Sequence, residues 1–204
     1  MGFLQRFLKP RGEARAIVAW KEAWARAAAD PDAGKVQDLR AGLDRLVAPD
    51  GDLEIEREML EGLEHLVKFA ATVAADGLPD VATGHRVVGH DICHFTAPAS
   101  MPDDPAQPSG RLLLTNARAI FVGGARGLTV AWHAVAKPIQ ADRDLVLVRV
   151  DGTALYRFRC NSFDDALCGA FVARQLAGSR KSGVRSLFSN PGTPDKTQDQ
   201  KPEP

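Results

Sequence analysis

The residues best suited to chemistry lie close together in one stretch, which contains His85, His90, Cys93 and His94. Imidazole nitrogens and a thiolate are typical ligands of Zn²⁺. If this stretch is a β-strand, His90 and His94 share a face and Cys93 points to the opposite one, so not all four side chains can converge. The alternative is a row of surface histidines beside a core cysteine. We therefore expect no bound metal and no cofactor, and the weak metal candidates are His85, His90 and His94.

No set of residues predicts catalysis. Ser162 and Ser182 lie in stretches typical of a helix cap and a polar tail, and the sequence has no Gly-x-Ser-x-Gly nucleophile elbow. The glycine-rich stretch 123–127 lacks the Lys-Ser/Thr pair of a phosphate-binding loop, and a strand pattern follows it where such a loop needs a helix. A plain turn is the better interpretation. The sequence therefore predicts that the protein is not an enzyme.

Composition is that of an ordinary cytoplasmic protein. The 26 Lys and Arg residues balance 26 Asp and Glu residues, so no excess of positive charge indicates nucleic acid as a partner. Cys93, Cys160 and Cys168 are an odd number without a C-x-x-C pair and lie in apolar patterns, which predicts buried, reduced thiols. No apolar run approaches the roughly 18 residues that span a bilayer, and the start of the sequence lacks a signal-peptide pattern.

The segment 1–11 has an amphipathic pattern that Pro10 is expected to end. One interpretation is an interfacial anchor that places the protein at the inner face of the membrane, since its apolar side chains would enter the lipid while neighbouring cations meet anionic headgroups. The other is a terminus that packs loosely on the domain. The apolar residues that share one helical face are Phe3, Leu4, Phe7 and Leu8.

Arginines are scattered through the strand region that starts after about residue 80. If several of them gather on one rim, they favour contact with an anionic surface. The alternative is that they are ordinary outward-facing strand residues. The candidates for binding a lipid or another partner are Arg86, Arg111, Arg118 and Arg126.

A helical period of apolar residues runs through residues 12–78 and predicts a unit of three helices with short connections. Trp20 and Trp24 lie one turn apart in the first helix. They are either an aromatic site for a partner or, as we expect, part of the core, since a small helical unit needs large aromatic side chains to bury enough area. The predicted helices are 14–29, 35–47 and about 52–75.

After about residue 80 the period changes to that of strands. The pattern predicts seven strands and a closing helix that starts after Ser162, with Asp165 in a capping box. Lys137–Ile139 is predicted to be a connector, and residues 178–204 a disordered tail. The fold class is therefore α+β: a three-helix unit, then a bent antiparallel sheet or barrel closed by a helix. The predicted strands are two within 81–98, two within 110–123 and one each within 128–134, 145–150 and 154–160.

The stretch 110–116, Gly-Arg-Leu-Leu-Leu-Thr-Asn, is followed by Arg118 and Phe121. It is similar to the Gly-x-Leu-x-Leu-Thr-Asn motif of the GRAM type of pleckstrin-homology-like (PH-like) domains. Asp151-Gly152 before an aromatic strand also resembles the last hairpin of that family. The resemblance covers residues 84–177 and implies a PH-like, seven-stranded bent sheet or barrel that binds phosphoinositides, other lipids or protein segments.

The resemblance and the lack of a catalytic set lead to one functional hypothesis. We expect a non-enzymatic binding module that docks on an anionic lipid surface or on a protein segment. Family members that bind phosphoinositides carry several Lys and Arg between their first two strands, whereas the corresponding stretch here has Arg86 alone. One guanidinium cannot hold two phosphates as a cluster does. The alternative is a scaffold whose helical unit binds a protein partner or self-associates into a homo-oligomer.

Overall fold

The structure is a computed structural model that describes the backbone of residues 5–46, 52–123 and 127–186, and the side chains of residues 14–46, 52–123 and 127–178. Within these ranges it confirms the predicted α+β class: three helices precede seven antiparallel strands, and a fourth helix packs on the sheet. The helices are α1 (Gln5–Ala29), α2 (Ala33–Leu43), α3 (Glu54–Asp76) and α4 (Phe163–Ser186). The strands are β1 (Cys93–Ser100), β2 (Ser109–Thr115), β3 (Arg118–Gly123), β4 (Leu128–Ala131), β5 (Lys137–Ala141), β6 (Asp144–Val148) and β7 (Ala154–Cys160).

Two tryptophans hold the three-helix unit together. Trp20 and Trp24 are buried, and their indole N–H groups donate to the carbonyl oxygens of Leu39 (2.8 Å) and Met59 (2.6 Å). An indole has one polar atom on a large apolar ring, so its burial is favourable where that N–H finds an acceptor. The prediction that both residues belong to the core is confirmed, and they fix α1 to α2 and to α3.

The first helix is longer than the sequence pattern predicts. It begins at Gln5 and continues through Pro10 to Ala29, so the prediction that Pro10 ends a separate segment is wrong. Proline removes one backbone hydrogen bond from a helix. The alanine-rich sequence that follows it has a high helix propensity, which offsets that loss.

The strands form one open sheet in the order β4-β3-β2-β1-β7-β6-β5. It consists of two meanders, β1 to β4 and β5 to β7, in each of which consecutive strands pair antiparallel. The meanders meet where β1 pairs with β7 through Ala99 opposite Cys160 and Ser100 opposite Arg159. The edges of the described sheet are β4 and β5, so of the two predicted forms the structure shows the sheet and not the closed barrel.

Two predictions about individual strands are wrong, although the predicted number of strands, seven, is correct for the described part of the chain. Arg86–Val88 forms a 3-10 turn, because Gly89 follows it with φ 63° and reverses the chain at once. The predicted connector is part of β5, Lys137–Ala141, in which Pro138 lies opposite Leu147 of β6. Proline has no backbone N–H to donate to a neighbouring strand. It is tolerated in β5 because this edge strand pairs with β6 on one side only.

The β2–β3 hairpin is fixed by its turn and by its glycines. Thr115 Oγ1 accepts from the backbone N–H of Arg118 (3.0 Å), and the indole N–H of Trp132 donates to the carbonyl oxygen of Thr115 (2.8 Å). At the other end, a Cβ on Gly110 would lie 2.1 Å from the carbonyl oxygen of Val122. Only glycine fits there, so the motif that carries the family resemblance has a structural role.

The fourth helix is shared by the two halves of the molecule. Leu167 and Cys168 pack in the hydrophobic core of α1, α2 and α3, whereas Ala170 and Ala173 pack in the core under the sheet. The helical unit and the sheet are therefore joined through α4. The helix continues to Ser186, past the predicted start of the disordered tail at residue 178.

Candidate functional site

The predicted arginines of the sheet are engaged within the fold. Arg111 donates to Thr96 Oγ1 (3.3 Å), and Arg118 Nε donates to Asp91 Oδ2 (2.8 Å). Arg111 lies opposite Val122 on β3, whereas Arg118 starts that strand. Val122 is four residues after Arg118, which corresponds to about 13 Å along a strand. The structure therefore places these two arginines at opposite ends of the hairpin.

The remaining predicted site residues have different positions. Arg86 lies in the 3-10 turn before β1, at a hollow of about 390 Å³ lined by residues of the stretch 80–93. For two apolar residues of the N-terminal segment only the helical backbone of α1 is described: Phe7 and Leu8. Three more predicted site residues lie outside the described part of the chain: Phe3, Leu4 and Arg126.

The loop between the first two strands is acidic. In the structure Arg86 precedes β1, so this loop is residues 101–108. It carries Asp103 and Asp104 and no Lys or Arg. A phosphoinositide headgroup carries several negative charges, and this loop offers it no cation.

Two further arginines share one buried carboxylate. Asp144 accepts from Arg159 Nε (2.9 Å) and Arg157 Nε (2.6 Å) at the junction of β6 and β7. Burial alone would raise the pKa of Asp144, but the two guanidinium groups outweigh it and hold the pKa below its ordinary value. This cluster binds β6 to β7, and Asp103 Oδ1, 3.6 Å from the Arg157 guanidinium, supplies the second negative charge that balances the two cations.

The histidines suggested as metal ligands do not converge. His94 Nδ1 lies 2.8 Å from the carbonyl oxygen of Pro79, and Cys93 is buried in a small cluster with Val88, Leu113 and Ile120. In the part of the chain that the structure describes, no group of three metal-donor side chains includes either of the other two histidines, His85 and His90.

The structure instead brings together three donors on α3 and α4: His65, Asp164 and Cys168, here called the seam cluster. His65 Nδ1 lies 2.5 Å from Asp164 Oδ1, and the Cys168 thiol donates to the same oxygen (3.3 Å). All three donor atoms lie within 4.8 Å of one another. His65 and Asp164 are open to solvent, with side chains 58% and 38% exposed, whereas Cys168 is buried.

Close packing of α3 against α4 positions the seam cluster. A Cβ on Gly62 would lie 2.9 Å from the backbone nitrogen of Asp164, so the missing side chain lets the helices approach. The start of α4 is fixed by the Ser162 hydroxyl, which accepts from the N–H of Asp165 (3.1 Å) as the capping prediction requires. Phe163 packs edge-on against Trp24, with 5.7 Å between ring centroids.

The electrostatics of the seam cluster argue against a cysteine nucleophile. Burial, with the nearby charge of Asp164, raises the pKa of the Cys168 thiol far above its ordinary value. A reactive cysteine needs the opposite shift, because the thiolate attacks and the thiol does not. All three cysteines are buried and unbridged, as predicted.

A second candidate site is the groove between α1 and α2, here called the helix groove, with a volume of about 640 Å³. The groove is open because small residues lie where larger side chains would fill the space. A Cβ on Gly42, for example, would lie 3.3 Å from the Trp20 ring. The floor consists of Trp20, Ala23, Ala27, Leu39 and Gly42, and the rim of Arg26, Asp30, Lys35 and Asp38.

No family model and no curated protein matches this sequence. One solved structure with a partial likeness is the C-terminal domain of an unknown protein from Leishmania infantum. The identity is 10%, the match covers 44% of this chain and 88% of that chain, and the TM-score is 0.38. A likeness at that level says nothing about function. Among the described residues, no helix is long and apolar enough to cross a membrane.

The sequence alone predicts little of either candidate site. His65 and Asp164 are 99 residues apart in the chain and belong to helices whose pairing no local pattern reveals. Asp164 and Cys168 are one turn apart on a helix, which is a usable signal. The helix groove depends on the alanines of α1 facing Gly42, and small residues indicate close packing as often as a groove.

Proposed function

We propose that the protein is a non-enzymatic docking module that binds an amphipathic helix in the helix groove. The observation that carries this proposal is the groove itself: an apolar floor of about 640 Å³ with charged residues on both sides. An amphipathic helix places its apolar face in such a groove and its polar face in water. Of the predicted alternatives, this is the one in which the helical unit binds a protein.

The charges of the sheet half favour a protein over a lipid surface. Arg118, Arg157 and Arg159 are paired with Asp91 or Asp144, and these contacts would compete with anionic headgroups. The loop between β1 and β2 adds negative charge. A lipid surface attracts proteins through clustered, available Lys and Arg, and the described arginines offer little of that.

The occupant we propose is the N-terminal segment of a second copy of this chain. Its apolar residues, at helical spacing, are those that such a groove accepts: Phe3, Leu4, Phe7 and Leu8. The segment is basic and the helical unit as a whole is acidic: residues 1–11 carry three cations and no acid, whereas residues 12–78 carry 14 acidic and 8 basic residues. Opposite net charge speeds and orients such an encounter.

The segment cannot reach the groove of its own chain. Leu8 and Trp20 lie on the same continuous helix α1, and twelve residues of a helix correspond to about 18 Å. The helix would have to break for the segment to turn back. A second copy meets no such restriction, and exchange between two copies gives two contacts in one dimer.

The contact is small, so we expect reversible association. Each buried aromatic side chain covers roughly 150–250 Å², and stable interfaces bury more than about 1,000 Å² in total. Two phenylalanines at each of the two exchanged contacts cover roughly 600–1,000 Å², and the leucines add to this area, so the dimer reaches that lower limit. The expected affinity is therefore in the micromolar range, about 8 kcal/mol of binding free energy.

The PH-like resemblance of residues 84–177 belongs to the same proposal. Its support is the order of the elements, two antiparallel meanders followed by a helix that packs on the sheet. In this account the sheet and α4 form the frame that carries the helical unit.

Sedimentation equilibrium over a range of concentrations tests the proposed function. The wild-type average mass should rise above 22.0 kDa as concentration increases. Ala23→Leu, which fills the groove, should weaken association at least tenfold, since one buried leucine side chain corresponds to about 1.5–3 kcal/mol. Ala25→Leu is the matched control, because Ala25 is exposed on the same helix and does not line the groove.

The N-terminal segment has its own pair of variants. Phe7→Ser with Leu8→Ser should abolish association, and Gln5→Ser with Arg6→Ser should leave most of it. A wild-type chain that stays monomeric, or association that Ala23→Leu leaves intact, would overturn the proposal.

Flotation with anionic vesicles tests the lipid alternative. If the chain does not self-associate and its binding to vesicles depends on Phe7 and Leu8, the N-terminal segment binds a membrane and not the helix groove.

A further inference from the structure

We propose that the seam cluster binds a transition-metal ion of the zinc type, with His65 Nδ1, Asp164 Oδ1 and Cys168 Sγ as protein ligands and water in the fourth position. The inference rests on the one group of three metal donors that the described residues contain. It does not depend on the proposed docking function, because the helix groove shares none of these residues.

The donor set selects the class of metal. One imidazole nitrogen, one carboxylate oxygen and one thiolate sulfur suit a borderline-soft ion such as Zn²⁺. The sulfur disfavours Mg²⁺ and Ca²⁺, which prefer oxygen ligands alone. Three protein ligands with one position open to solvent are an established form of zinc coordination.

The distances fit after a small movement of two exposed side chains. Metal–ligand distances of about 2.0–2.3 Å place tetrahedral ligand atoms about 3.3–3.7 Å apart. The Cys168 Sγ and Asp164 Oδ1 atoms are 3.3 Å apart already. His65 Nδ1 and Asp164 Oδ1, at 2.5 Å, must separate by about 1 Å, and both side chains have solvent on one side in which to move.

The backbone beneath the cluster is held in place. Gly62 keeps α3 in close contact with the start of α4, and the backbone N–H of Phe163 donates to Glu58 Oε1 of α3 (3.3 Å). Ligands on two packed helices lose little freedom on binding, which favours affinity. The buried Cys168 is the fixed ligand around which the other two side chains close.

Local charge is compatible with a cation. The N-terminus of α4 carries a partial positive charge that opposes cation binding, but Asp164 and Asp165 lie in its first turn and offset it. The thiol must lose its proton to bind the metal, and burial disfavours the thiolate until the ion arrives. Binding therefore releases protons and weakens in acid.

Cobalt titration of the full chain, stripped of metal with a chelator, tests the proposal. Co²⁺ replaces Zn²⁺ in such sites, and a thiolate ligand gives a charge-transfer band in the near ultraviolet. We expect this band to grow to one Co²⁺ per chain and to disappear when one equivalent of Zn²⁺ is added. Thermal unfolding should shift upward by several degrees with saturating Zn²⁺, because the ion binds the folded state.

Variants separate the site from adventitious binding. Cys168→Ser should remove the band, and His65→Asn, at an exposed position where folding is not at risk, should weaken Co²⁺ binding at least tenfold. Cys160→Ser and His94→Asn are matched controls that should retain both. The absence of a charge-transfer band in the wild-type protein, or a band that survives Cys168→Ser or is unchanged by His65→Asn, would overturn the proposal and leave His65 and Asp164 as a hydrogen-bonded pair between two helices.

Discussion

At the scale of single residues, Asp144 links two arginines of the sheet half. Its carboxylate is buried and accepts from Arg157 and Arg159 on the neighbouring strand. The two guanidinium groups are partly exposed, so solvent weakens each contact. The carboxylate has no such access to water, and its charge is stabilised by these partners.

The depressed pKa of Asp144 predicts an acid-sensitive contribution to stability. The folded pKa lies below the ordinary value of 3.8, so the contribution is complete above that value and is lost as pH falls through the folded pKa. Asp144→Asn should lower the free energy of unfolding at pH 7 by about 1–3 kcal/mol. As the pH falls through the folded pKa of Asp144, the difference between the two proteins should shrink towards zero.

Urea unfolding of the wild type and of Asp144→Asn at several pH values measures this difference. Other carboxylates titrate in the same range, but they are common to both proteins and cancel in the subtraction. A difference that stays constant from pH 7 to pH 2 would show that Asp144 does not carry the effect.

At the scale of elements, the contact between α3 and α4 decides how the two halves are joined. Gly62→Ala should destabilise the protein by about 1–3 kcal/mol, because the new Cβ would lie 2.9 Å from a backbone nitrogen that cannot move alone. Gly178→Ala is the control at a glycine of α4 outside this contact: apart from the helix's own backbone, nothing in the described part of the chain lies within 4 Å of the position that its Cβ would take. It should be neutral or stabilising by up to about 1 kcal/mol, the helix propensity of alanine over glycine.

Thermal unfolding by circular dichroism compares the two variants with the wild type. Equal destabilisation by both would mean that the loss comes from replacing a glycine anywhere in these helices. No loss in Gly62→Ala would mean that α3 and α4 are not in close contact at this point.

The elements show which local signals are sufficient and which are not. The helical period predicted all three N-terminal helices, because their apolar faces repeat regularly enough to form a core. The strand prediction at Val87 and Val88 is wrong because β-branched residues are favoured in strands wherever they occur, whereas Gly89 decides the backbone there. Pro138 suggested a connector, and only the position of β5 at the edge of the sheet permits a strand.

The candidate sites depend on pairing between elements that are distant in the sequence. The seam cluster needs α3 beside α4, and the helix groove needs α2 against α1. Neither pairing follows from a period or a motif. The histidines first considered as metal ligands, His85 and His94 among them, are close in the sequence, but the turn before β1 separates them.

At the scale of the whole molecule, α4 makes one structure of two hydrophobic cores. Its first turns pack against the helical unit and its middle against the sheet. The helix groove lies between α1 and α2 of the helical unit, and no described strand residue lines it. The molecule therefore presents its apolar groove on the half that is outside the PH-like resemblance.

The most direct test of the docking account is a photocrosslink between two copies of the full chain. A benzophenone amino acid replaces Leu8 in an isotopically heavy copy, which is mixed with light wild-type protein, irradiated and mapped by mass spectrometry. The account predicts heavy-to-light crosslinks to α1 and α2 around Ala23, Ala27 and Leu39, and their loss when the light copy carries Ala23→Leu. Crosslinks confined to the heavy copy, or between copies but outside the groove, would contradict it.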